Sequence, residues 1–68
     1  MLVKYEYNNK IIADVELSYP PREDESVLIW GEEYTINYVT HDVEIKMKPN
    51  GKKCVIEKII CTLCKENE

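Results

Sequence analysis

Phenylalanine is absent from this 68-residue chain, alanine occurs once (Ala13), and glycine occurs only as Gly31 and Gly51. Two isolated glycines exclude a glycine-rich phosphate loop, because the backbone can approach a phosphate closely only where several lie together. No apolar stretch approaches the roughly 20 residues that cross a bilayer as a helix. The start, Met1-Leu2-Val3-Lys4-Tyr5, has no charged-then-apolar leader. The expected location is therefore a reducing cytoplasm, where three cysteines (Cys54, Cys61, Cys64) read as thiols or metal ligands rather than a disulfide framework. A chain this short folds as one domain and hides only about 60% of the surface its unfolded form exposes. A metal or a second copy of the chain would be the natural reinforcement, so a homo-oligomer is left open.

Basic charge is also scarce where it would matter for nucleic acid. The formal net charge is −4, and phosphate recognition needs a basic footprint. From Asp14 to Glu44 there are nine acids against Arg22 alone. From Lys46 to Lys58 there are five lysines against Glu57. An ordinary solvated surface accounts for such a pattern. It equally suits an acidic face that docks on a basic partner.

The apolar residues that are present are mainly Ile, Val and Tyr, which fit a pleated, half-buried surface. Val3, Tyr5 and Tyr7 alternate with polar residues, Asn8-Asn9 supplies a tight turn, and Ile11, Ala13, Val15 and Leu17 return as a second strand. Pro20-Pro21 and the acidic run Glu23-Asp24-Glu25 make an extended loop. A short strand over Val27 to Trp30 follows, then a turn at Gly31-Glu32-Glu33 and a strand from Tyr34 to about Thr40. Val43, Ile45 and Met47 alternate with Asp42, Glu44, Lys46 and Lys48, predicting a half-buried strand with one face in solvent. Pro49-Asn50-Gly51 is a hairpin turn that demands a partner strand, so 53–63 is read as the return strand. The alternative is α+β, with a C-terminal helix over 53–64 whose stripe would be Val55, Ile56, Ile59, Ile60 and Leu63. The whole predicts an all-β domain over 1–63, five to six antiparallel strands closed into a small barrel, and a polar tail over 64–68.

Residues able to carry chemistry are few. Cys61-Thr62-Leu63-Cys64 is a C-x-x-C pair, and His41 and Cys54 would complete a zinc set in type and number. Thr62-Leu63 lacks the Gly or Pro of a zinc knuckle, and in a strand Cys61 and Cys64 point to opposite faces. Buried or half-exposed thiols are the simpler reading, with no cofactor expected. The C-x-x-C pair also lacks the following helix that lowers a redox thiol's pKa. His41-Asp42 has no nucleophile beside it, and strand neighbours face opposite ways. No enzyme is expected. The aromatics speak more for recognition: Trp30 and five tyrosines exceed what so small a core holds, and Tyr and Trp pair an apolar body with a polar tip. Tyr5, Tyr34 and Tyr38 are expected to line the core and Tyr19 or Trp30 to lie outside it. The expected contact surface is Tyr19, Arg22, Glu23, Asp24, Glu25, Trp30, Glu32 and Glu33. A second reading is nucleotide capture, in which Tyr and Trp30 stack the base and Arg22 or the lysines meet phosphate. A third is a zinc-stabilised structural module.

The run Pro21-Arg22-Glu23, Val27, Ile29, Gly31, Tyr34, Ile36, Val39 and His41-Asp42 resembles short bacteriophage- and prophage-encoded proteins with SH3-like barrels. The likeness covers the middle third of the chain and includes no catalytic residue. It implies an accessory protein that binds a host protein and blocks it, with the acidic surface mimicking nucleic acid against a basic target.

Overall fold

The structure is a computed structural model and describes residues 1–65. Five strands form one sheet: β1 (Leu2–Tyr7), β2 (Lys10–Glu16), β3 (Ser26–Ile29), β4 (Glu32–Met47) and β5 (Lys53–Cys64). Their order across the sheet is β2-β1-β5-β4-β3. No helix is present among the described residues, and none therefore is long and apolar enough to cross a membrane.

Turn chemistry explains the three hairpins. Asn8 and Asn9 take φ of 51° and 64°, the left-handed pair that matches strand twist between β1 and β2. At the β4–β5 hairpin the Gly51 amide donates to the Lys48 carbonyl at 2.9 Å, and Gly51 itself sits at φ 81°. That is a turn over Pro49-Asn50 followed by a left-handed glycine. Asn50 Oδ1 accepts the Lys52 amide at 3.1 Å and fastens the loop. The third turn is Trp30-Gly31, not Gly31-Glu32-Glu33 as expected. Ile29 pairs directly with Glu32, so Trp30 leaves the strand and Glu32 and Glu33 join β4.

The all-β expectation holds, and the segment 53–64 is a strand rather than a helix. Two features of the expected barrel are corrected. The sheet is mixed, because β1 runs parallel to β5, with Val3 opposite Ile59 and Tyr5 opposite Cys61. It is also open: β2 and β3 are edge strands at opposite ends of the order and do not pair with each other. The two strands expected at 34–40 and 42–48 are one continuous strand through His41-Asp42, which gives five strands, the lower of the expected five to six.

The core is the concave face of this bent sheet: Val3, Tyr5, Ile29, Tyr34, Ile36, Ile59, Cys61 and Leu63, with Ala13, Val15 and Val39 packed against it. Tyr38, expected in the core, is exposed. A bulge between Ile36 and Tyr38 leaves Asn37 without a register partner, so Tyr38 pairs with Thr62 on the other face. The tail is expected from Cys64, but Cys64 ends β5, and the Lys65 ammonium meets Glu32 Oε2 at 2.8 Å. Residues 66–68 of the expected tail lie outside the described residues.

The molecule measures 51 × 23 × 19 Å. The long axis comes from the distal halves of β4 and β5. From Val43 to Met47 and from Lys53 to Glu57 these strands pair only with each other, as a two-stranded arm. The apolar face expected to be half-buried there, Val43, Ile45 and Met47, is exposed. No other element among the described residues covers it.

Candidate functional site

Bending brings the two edge strands toward each other without joining them. The gap is a cleft of about 730 Å³ lined by Tyr5 at its floor, Ile11–Val15 and Leu17 on the β2 side, and Val27–Trp30 on the β3 side. Its lining is mainly apolar, and among the described residues Asp14 is its one charged side chain. Burial, then the neighbouring Cys61, Glu25 and Tyr19, raise the Tyr5 pKa above its ordinary value. The two strands that flank the cleft each present an outer edge with no strand beside it among the described residues. Such an edge can accept another strand.

Trp30 stands at the rim. It is 91% exposed, and beside it Leu28 is 72% exposed. Its φ of 52° is the left-handed region, which costs a bulky residue about 1–2 kcal/mol that Asn or Gly would avoid. A strained, bare tryptophan contributes nothing to the core that would offset that cost. Backbone strain of this kind gathers where function holds a side chain in place.

At the other end of β3 the acidic loop is fastened to β4. The Asp24 amide donates to the Ile36 carbonyl at 2.8 Å, and the Ile36 amide to the Glu25 carbonyl at 2.9 Å. The Arg22 amide donates to Glu25 Oε1 at 2.6 Å, and Asp24 adopts φ 68° to close the turn. Tyr19, Arg22, Glu23 and Asp24 face solvent. The expected contact residues thus fall in two groups at the two ends of β3: Tyr19, Arg22, Glu23, Asp24 and Glu25 at one, Trp30, Glu32 and Glu33 at the other.

Glu32 is committed to structure. It accepts from Lys65 at 2.8 Å and from the Tyr34 hydroxyl at 3.1 Å. These hydrogen bonds, the lysine's first, hold its carboxyl below the usual range, and the same contact with Glu32 raises the Lys65 pKa. The Lys65 ammonium also lies over the rings of Tyr7 and Tyr34, at 5.5 Å and 5.3 Å. The two rings meet edge-on at 5.1 Å. Sequence spacing could not reveal this cluster, since its members sit on β1, β4 and just past β5.

The zinc set does not assemble within the chain. Cys54 and Cys64 lie ten residues apart on one extended strand, ~33 Å at the rise of a β-strand, whereas one ion needs its ligands within a few ångströms of each other. Cys61 is a buried core residue, and burial raises its thiol pKa, the setting of an inert thiol. All three cysteines are free thiols. His41 Nδ1 instead lies 3.1 Å from Glu57 Oε1, and Asp42 meets Lys58 at 3.5 Å on the opposite face. The groups expected to hold a nucleotide are likewise dispersed. Trp30 and Tyr5 border the cleft, but Arg22 does not, and the lysines from Lys46 to Lys58 stand on the arm, its turn and its base, where Lys58 pairs with Asp42.

Comparison of the chain with protein-family models, curated proteins and solved structures finds no significant match to any of them. The candidate site therefore rests on its own geometry.

Proposed function

We propose that this chain is a non-enzymatic accessory protein that binds another protein by surface contact at the open side of its sheet. In this reading it is phage-encoded, works in the host cytoplasm, and modulates or inhibits a host protein such as a defence or nucleic-acid enzyme. The SH3-like likeness then applies to a bent sheet that stays open between β2 and β3. One observation carries the reading: an apolar cleft between two open strand edges, with the strained Trp30 held bare at its rim. An occupant with alternating apolar side chains could extend either edge strand and fill the cleft. The acids at the ends of β3 favour a partner with basic residues flanking that segment.

The test is capture from bacterial host lysates by the immobilised chain, beside the variant Trp30→Asn. Asn fits the turn, so loss of binding cannot be blamed on a disrupted hairpin. The expected result is a stoichiometric protein partner that the variant fails to retain. Equal retention by both chains, or no partner above background, contradicts the reading.

A further inference from the structure

The arm is the part of the molecule that this function leaves unused. Its two faces differ in kind. Register places Val43 beside Glu57, Ile45 beside Val55 and Met47 beside Lys53 on one face. The other face pairs Asp42 with Lys58, Glu44 with Ile56 and Lys46 with Cys54. That second face is laced by the Asp42–Lys58 and Glu44–Lys46 ion pairs at 3.5 Å and 3.9 Å. The first face has four apolar side chains exposed between 52% and 64%. A two-stranded ribbon by itself is marginal in water and becomes stable only when its apolar face is covered.

The arrangement of charge on that face says what covers it. We propose that two copies of this chain pack their arms face to face about a two-fold axis through the Ile45–Val55 pair. Such an axis lies between the two ribbons and across the strands, so it sets β4 on β4 and β5 on β5 with their directions reversed. Ile45 and Val55 then meet their own counterparts. Met47 of each copy meets Val43 of the other, and Lys53 of each meets Glu57 of the other. Every position on the face finds a complementary one, as a two-fold contact requires. Glu57 already faces His41 within its own chain, and a carboxylate has a second oxygen for the incoming ammonium. Four apolar side chains per arm make a contact well below the roughly 800 Å² per partner of a standard complex. The dimer is thus concentration-dependent. It also leaves the cleft and Trp30 free, because the arm and the open edges are separate parts of the sheet.

Sedimentation velocity across a wide concentration range tests this, with charge reversals at the contact. The parent chain is expected to shift from monomer to dimer with increasing concentration, and Ile45→Ser to remain monomeric. Lys53→Glu and Glu57→Lys each set like charges opposite one another and are expected to remain monomeric alone. Mixed together they are expected to associate, because each then presents the charge the other needs. The double variant K53E/E57K is expected to regain self-association. Circular dichroism of each variant checks that it is folded. The proposal is overturned by a parent chain that is monomeric throughout, or by a dimer indifferent to Ile45→Ser. Charge-reversed chains that fail to associate when mixed also overturn it. None of these results bears on capture of a partner by Trp30.

Discussion

β5 is one strand with two fates. Its distal half carries Val55 in the open, while its proximal half buries Ile59, Cys61 and Leu63. The core-side face runs on into the arm, since Val55, Glu57, Ile59 and Cys61 lie on the same face, and there Val55 joins the alternating Val43, Ile45 and Met47 of β4. What changes is the neighbour. From Lys58 to Thr62 the strand has β1 on one side and β4 on the other, and the bent sheet folds a core over it. From Lys53 to Glu57 it has β4 alone. Alternation therefore marks a face that is able to be buried, and topology decides whether the chain buries it itself.

Truncations put the largest difference on that comparison. Ile59→Ala empties a site that is 1% exposed and is expected to cost about 2–5 kcal/mol. Ile45→Ala, at a residue 64% exposed, is expected to change the stability of the dilute monomer by no more than about 0.5 kcal/mol. Denaturant unfolding measures both, and similar losses would mean that the arm is packed in solution. Trp30→Asn is the next largest effect, and it has the opposite sign. Relief of the left-handed tryptophan is expected to stabilise the chain by about 1 kcal/mol while removing the bare aromatic from the cleft rim. A destabilised variant would mean that Trp30 holds the fold and would weaken its role in recognition.

The smallest effect concerns the anchor of Lys65. Glu32 titrates lower in the fold than in the unfolded chain, so its contribution is complete above the ordinary carboxylate range. It is lost as pH falls through the depressed value. Lys65 titrates higher in the fold, so its contribution is complete below the ordinary lysine range and is lost as pH rises through the raised value. Ring resonances of Tyr7 and Tyr34 are expected to report release of the lysine at both extremes and to stay constant near neutrality. In Glu32→Gln the acid step should vanish. An acid step that persists there would assign the anchoring to another carboxylate.

Local chemistry was the legible part of this fold. Asn8-Asn9, Pro49-Asn50-Gly51 and the β-branched run after them carry their own conformational preferences, so two hairpins and the final strand could be read from residues alone. The parallel pairing of β1 with β5 could not, because alternation says which face is apolar and nothing about which strand lies alongside. The bulge at Asn37 turned Tyr38 outward by shifting the register one residue, a change with no Gly or Pro to signal it. Trp30 was expected to be exposed as surplus aromatic area, but its left-handed turn was hidden because tryptophan is not a turn residue. The exposed tyrosine and acids of the 19–25 loop were legible. The cleft was not, since it exists only because β2 and β3 bend toward each other and stop short.

Amide hydrogen exchange resolved along β5 tests the division most directly. In dilute solution the amides of Lys53 to Glu57 are expected to exchange far faster than those of Lys58 to Leu63. Raising the protein concentration should slow the first group and leave the second unchanged. Exchange of both halves at one common rate, at every concentration, would contradict the account of β5 as a buried strand continued into an arm that waits for cover.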